Sequence, residues 1–275
     1  MSAPATTLAY ESKGVAEEKN AEALEHERHL VEELTGITPP APVIAVDLDD
    51  VLRHNEKYNT KITLDNFYYY YYWKNPYWGT PQETFQKVTE FYKTDSIYQT
   101  QPLPDAKAGL EELKKLGYRL IIVTARKEDE QDQSWEWVQK YFPGIFESIV
   151  CTGQFKDAHK TGHEIVTKLS KAQVCDDLGA KLLIDDSAEN ALQCSTASPA
   201  VPVLLFGDYQ WNKRLCGPQD GTVEMSFDIR LAAEGGREFW KEETVPIPEG
   251  APLWRVKNWQ EAVEWVKKAH AEGRM

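Results

Sequence analysis

Cysteine is scarce in this chain: four residues in 275, at positions 151, 175, 194 and 216, with no CxxC pair. Spacing this wide suggests neither a zinc knuckle nor a disulfide framework. Long apolar runs are missing too, since none approaches the roughly 20 residues of a membrane-spanning helix. The opening MSAPATTLAYESKG has neither the basic nor the apolar region of a signal peptide. The expectation is an intracellular, reduced, cytoplasmic protein with no membrane partner. Positive charge is in deficit: 31 Lys and Arg stand against 44 Asp and Glu, a formal net charge of -13. With no long Lys/Arg run, a nucleic-acid polymer is not an expected partner, because phosphate backbones are bound by basic faces. No GxSxG elbow, Walker loop or GxGxxG turn occurs, so those enzyme classes lose their main evidence. There is no internal repeat.

What is present is a strand and helix alternation with enough apolar residues, 41% of the chain, for a full core. Near-continuous apolar runs at VIAVDL (43–48), RLIIVTA (119–125), SIVC (148–151), KLLIDD (181–186) and VPVLLF (201–206) read as strands covered on both faces. Helical patterns lie between or after them: PDAKAGLEELKKLG closed by Gly117, DQSWEWVQKYF stopped by Pro143, HEIVTKLSKAQVCDDLG closed by Gly179, and the final NWQEAVEWVKKAHAEG. This order predicts an α/β fold with a Rossmann-like parallel sheet. Three regions fall outside the rhythm. Residues 1–40 read as an extension with a charged helix (about 15–35), 56–101 as a Tyr- and Trp-rich segment, and 213–253 as a Gly/Pro-punctuated insertion loop.

The stretch VIAVDLDDVL runs from four apolar residues into Asp47, Asp49 and Asp50. Burying isolated carboxylates is so costly that they neutralise, pair or bind a metal. In an open parallel sheet the carboxyl ends of the strands form the ligand crevice. Asp47 and Asp49, Thr124, and Asp185 with Asp186 close three of these strands. One such residue alone reads as a turn or capping Asp; three strands ending this way read as a site.

DLDDVL resembles the first motif of the haloacid dehalogenase (HAD) superfamily, LIIVTAR its second and LLIDDS its acidic fourth. Thr124 follows Asp47 by 77 residues and Asp185 follows Thr124 by 61, which leaves room for a cap between the first two motifs. WEWVQKYFPGIF and LLFGDYQWNK are similar to stretches of the 5'(3')-deoxyribonucleotidase branch. The resemblance implies a HAD-like core (41–55 and 102–275, with the insertion) and a small helical cap over 56–101. It also implies a Mg2+-dependent phosphomonoesterase for a small phosphate ester such as a nucleotide, or a phosphatase of sugar phosphates or phosphoproteins. Asp47 would be the nucleophile, forming an aspartyl-phosphate, and Asp49 the general acid and then base. Asp47, the backbone carbonyl of Asp49, Asp185 and, through water, Asp186 would hold the metal. Thr124, with backbone N–H groups around Ala125, would bind the phosphoryl oxygens. For the third-motif lysine, Lys171 is favoured because it precedes Asp185 by 14 residues on a helix leading into the fourth strand; Lys156 is the alternative. An acid two residues after the nucleophile favours a phosphatase over a dehalogenase, and Asp50 is left as a turn or capping residue. A catalytically silent HAD-fold binding or scaffold protein is the competing class; a homodimer is admitted among the protein's partners.

In NFYYYYYWKNPYWGT (66–80), Thr63 is placed to cap a helix carrying the five tyrosines. Two readings stay open: aromatics packed onto the core, or a lid in which Tyr69, Tyr72, Trp73 and Trp78, with Trp211 from DYQWNK, line the substrate pocket. His159 and His163 have helical ligand spacing but no third ligand, and His26/His29 read as a solvated face.

Overall fold

A computed structural model describes residues 41–52, 64–92, 94, 98–126, 130–153 and 170–275. The expected helix at 15–35, the segment 53–63 with Thr63, and Lys156, His159 and His163 lie outside the described residues.

Six parallel strands form one sheet in the order β3-β2-β1-β4-β5-β6. They are β1 (Val43–Val46), β2 (Arg119–Thr124), β3 (Ser148–Cys151), β4 (Ala180–Asp185), β5 (Val203–Phe206) and β6 (Leu253–Val256). The chain leaves β1 toward β2 and β3, then returns to build β4, β5 and β6 on the other side. The order therefore reverses beside β1, where an open α/β sheet forms its ligand crevice. The fold class is the one expected. Every residue of β1 is buried, as a central strand covered on both faces requires.

Helices α1 (Pro81–Tyr92), α2 (Ala106–Lys115), α3 (Gln131–Tyr141), α4 (Lys171–Asp177), α5 (Ala188–Ser195), α6 (Phe227–Ala233) and α7 (Trp259–Ala271) complete the order. Ile44, Val46, Leu120, Ile122, Leu182, Ile184 and Leu204 form one core cluster with side chains of α2, α3 and α7, the period-2 face of each strand. A Cβ on Gly109 of α2 would lie 2.8 Å from the Trp259 ring, so the close approach of α2 to α7 depends on that glycine. Gly117 and Gly179 end their helices with positive φ as expected. No described helix is long and apolar enough to cross a membrane.

Two expectations are corrected, and two elements are added. The tyrosine run is not a helix: a 3-10 turn at Leu64–Asn66 is followed by non-helical chain through Tyr70 and a second turn at Tyr72–Lys74. Buried Asn75 replaces the helical bonds. Its Nδ2 donates to the carbonyls of Tyr69, Tyr71 and Tyr72, and its Oδ1 accepts from Tyr69 N. The segment 213–253 is not one loop, since it holds α6 and 3-10 turns at Pro218–Asp220, Val223–Met225 and Phe239–Lys241. Its Cys216, Phe227, Phe239 and Trp240 form a second apolar cluster with Tyr69. Finally, β6 and α5 were not expected. LWRV buries only its two ends, and AENALQCS is short and half polar, so neither has a strong period.

Candidate active site

Each acidic position is set by a strand end. Asp47 follows β1, and its backbone N–H donates to the Ile184 carbonyl of β4 at 2.9 Å, so the two strand ends are tied where the acids begin. Asp185 is the last residue of β4 and Asp186 the next. Asp47, Asp185 and Asp186 each present a carboxylate oxygen within 4.8 Å of the others, and all three are buried. Lys171, the first residue of α4, is fully buried against them: its Nζ lies 2.9 Å from Asp47 Oδ1 and 2.6 Å from Asp185 Oδ2. Ser170 and Gln173 form a capping box that starts α4 and so places this lysine.

Among the described residues, three carboxylates stand against one ammonium, which leaves two negative charges if all are ionised, in a region water scarcely reaches. Burial raises Asp47 from 3.8 to about 7; Lys171 opposes the rise, and Asp185 and Asp49 add to it. Burial, then Asp50, Asp185 and Asp47, hold Asp186 well above the ordinary carboxylate range. For Lys171 burial works downward, but Asp185 and Asp47 outweigh it and keep the ammonium above the usual lysine range.

The donor set is all oxygen, and its charge is uncompensated. Asp47 Oδ1 is buried and faces the Lys171 ammonium at 2.9 Å, with no further donor among the described residues. Such a set fits a hard divalent cation.

Asp185 is held by Lys171, by Ser187 N at 2.9 Å and by Asn190 Nδ2 at 3.3 Å, the last two from the start of α5. Asp186 is held through Oδ2 by Trp211 Nε1 at 2.7 Å. Asp49 stands apart from the triad: its Oδ1 and Oδ2 accept from Arg126 Nη2 and Nε at 2.9 and 2.8 Å, and Arg126 Nη1 donates to Ser134 Oγ. Asp50 takes a left-handed conformation, φ 56°, in the turn after β1. Buried Thr124 ends β2, with Ala125 next; Thr124 Oγ1 accepts from Arg126 N at 3.4 Å.

The aromatic positions separate. Tyr69 is fully buried in the insertion cluster with its hydroxyl on Glu243 at 2.6 Å, and Trp73 Nε1 donates to the Asp220 carbonyl. Tyr72 and Trp78 stack on each other at 4.6 Å, with Phe67 edge-on to both. Trp211 stacks on Tyr209 at 4.2 Å and 8°, beside the acids.

Sequence reasoning left Arg126, Ser187, Asn190, Tyr209 and Tyr70 without roles. Arg126 stood inside the quoted LIIVTAR, and SAEN after Asp186 had the pattern of a helix start. Tyr70 could not have been singled out among five tyrosines. Burial, then the charges of Asp186, Asp47 and Asp185, raise its phenol well above the usual range.

No family model matches the sequence, and no curated protein does. The chain is similar to several solved structures. One is a predicted phosphatase from Clostridium acetobutylicum, at TM-score 0.46 and 13% identity over 84% of this chain and 100% of that one. Another is a HAD family hydrolase from Deinococcus radiodurans R1 with bound phosphate and sodium, at 0.45 and 13% over 86% and 99%. A third is D,D-heptose 1.7-bisphosphate phosphatase from B. bronchiseptica complexed with magnesium and phosphate, at 0.39 and 9% over 82% and 98%. Similarity this low leaves the chemistry to be read from the chain's own residues.

Proposed function

We propose that this protein is a Mg2+-dependent phosphomonoesterase acting on a small phosphorylated metabolite through an aspartyl-phosphate on Asp47. The observation that carries the proposal is the buried triad Asp47, Asp185 and Asp186 at the ends of adjacent strands, with Lys171 paired to Asp47 and Asp185. A merely structural cluster has no need of mutually repelling carboxylates.

Asp47 is the nucleophile: its oxygen forms the bond to phosphorus as the bond to the leaving oxygen breaks, and Asp49 delivers the proton that oxygen takes. In the second half-reaction Asp49 accepts a proton from the attacking water, inorganic phosphate leaves, and Asp47 is restored. Attack by a carboxylate on a phosphate dianion meets repulsion of roughly 4 kcal/mol per pair of unit charges about 4 Å apart at an effective dielectric near 20. Lys171 offsets part of it, and Thr124 with the N–H groups around Ala125 would hold the phosphoryl oxygens. Asp47, Asp185 and Asp186, with the Asp49 carbonyl that the resemblance implies, are the residues that would hold Mg2+; when bound it supplies the positive charge that this set lacks.

The chain's phosphate-end residues leave the organic part of the substrate open, so a panel of nucleotides, sugar phosphates and phosphoamino acids with and without Mg2+ is the first test. Turnover of at least one class that requires Mg2+ and vanishes in Asp47→Asn supports the proposal; no turnover of any, or an Asp47→Asn protein within tenfold of wild type, overturns it. One observation favours a second reading. Both Asp49 oxygens are engaged by Arg126, as suits a catalytically silent binding module of the same fold. That module would bind phosphate esters on the same panel without turning them over.

A further inference from the structure

Asp186 differs from its neighbour in where its support comes from. Asp185 is held by Lys171 and by the start of α5, the helix that follows it directly. Asp186 receives its hydrogen bond from Trp211, on the 3-10 turn Trp211–Lys213 after β5, 25 residues away. That turn is built to hold an indole in one place. Gly207 has φ 87°, and a Cβ there would lie 2.1 Å from the Tyr209 ring, so only glycine lets Tyr209 fold back over it. The Tyr209 hydroxyl donates to the Asp50 carbonyl at 2.9 Å, and its ring lies parallel to Trp211. Asn212 fixes the same turn through the carbonyls of Phe206 and Gly207, and Arg255 donates to Asn212. Phe67 of the Tyr-rich segment meets the Trp211 ring edge-on at 5.8 Å.

An indole has one polar atom, a donor, and no acceptor. It can therefore restrain one carboxylate oxygen without competing for the charge on the other. With one ring face against Tyr209 and Phe67 edge-on, Trp211 offers little free face to a flat ligand.

We infer that Trp211 is a positioning residue for cation binding: its N–H fixes the rotation of the Asp186 carboxylate so that this acid joins Asp47 and Asp185 as a ligand. The inference rests on the reading of the triad as a divalent-cation site. Outer partners that orient a metal ligand typically change affinity by about 10- to 100-fold when removed.

The test is Mg2+ affinity by calorimetry on the full chain, with no substrate, for wild type, Trp211→Phe and Tyr209→Phe. Trp211→Phe keeps an aromatic ring and deletes the donor; Tyr209→Phe keeps the stack and the Asp186 bond. The expected result is a Kd raised roughly 10- to 100-fold in Trp211→Phe and within threefold of wild type in Tyr209→Phe. A chain carrying benzothienylalanine at 211, sulfur in place of the indole N–H, isolates the donor should the phenylalanine variant fold poorly. Wild-type Mg2+ affinity in the benzothienyl protein would overturn the inference while leaving the cation site standing. A wild-type protein that binds no Mg2+ would overturn the cation site itself, and the inference with it.

Discussion

Among the described residues, Lys74 and Lys171 are both buried, and their surroundings differ in a way that separates structure from function. Lys74 meets a single carboxylate, Asp220 Oδ2, at 2.8 Å, and lies 4.3 Å over the Tyr69 ring. This ion pair joins the Tyr-rich segment to the insertion. Lys171 is shared by Asp47 and Asp185 with Asp186 beside them. A buried pair like that of Lys74 and Asp220 holds two parts of a chain together. An unbalanced one stores repulsion that a bound cation relieves, and that difference marks the strand-end cluster as the place where chemistry is expected.

The largest expected effect is on turnover. Asp47→Asn should abolish it with the fold intact, because the near-isosteric amide cannot form the acyl-phosphate. Asp49→Asn should slow it on the order of 10²-fold or more. Steady-state rates on the best substrate of the panel check both, and an unchanged Asp49→Asn rate would remove that residue from the mechanism.

The comparison itself is tested by the two lysines. Lys74→Met leaves Asp220 as an uncompensated buried charge and should cost about 3–5 kcal/mol of stability, with no recovery in Mg2+. Lys171→Met should also destabilise the metal-free chain, but Mg2+ should restore much of that loss. Thermal melts of both variants with EDTA and with Mg2+ decide it. Equal behaviour in the two would mean that the clusters are of one kind.

A smaller effect follows from Asp47. Burial, opposed by Lys171 and reinforced by Asp185 and Asp49, raises it to about 7. The folded metal-free chain therefore keeps a proton that the unfolded chain releases near pH 4. This contribution to stability is full below the unfolded value and is lost as pH rises through about 7. In EDTA the melting temperature should fall between pH 5.5 and 8, less steeply in Asp47→Asn. The rise on adding Mg2+ should grow over the same interval, because the ion binds the deprotonated acids. A Mg2+ effect equal at the two pH values would sink this account.

The smallest effect concerns the aromatics. Tyr69→Phe loses the bond to Glu243 and should cost about 1 kcal/mol of stability without altering KM. Tyr72→Ala should raise KM for a nucleotide more than for p-nitrophenyl phosphate if its exposed ring stacks on a base, an effect of about 1–3 kcal/mol. Equal changes on both substrates would leave Tyr72 and Trp78 as packing.

The sheet was legible in the sequence because a strand covered on both faces must be apolar throughout, and five of six strands were read from that signal alone. LWRV of β6 escaped it: at the edge of the sheet its middle residues are exposed. The grouping of Asp47, Asp185 and Asp186 was legible for a related reason, since charge directly after a buried run is costly without a purpose. The tyrosine run misled because Asn75, at the far end of the segment, supplies the bonds that a helix would have made.

By itself the sequence determined the parallel sheet, the strand ends that carry acids, and the helix that delivers Lys171, because each depends on neighbours a few residues away. Tertiary structure alone decided which aromatics pack and which face the acids, that Arg126 takes both oxygens of Asp49, and that Trp211 serves Asp186. Those pairings join residues 25 to 77 positions apart. Local pattern carries no information about them, because the free energy that selects them, the burial of charge against a particular partner, exists only once the chain has closed.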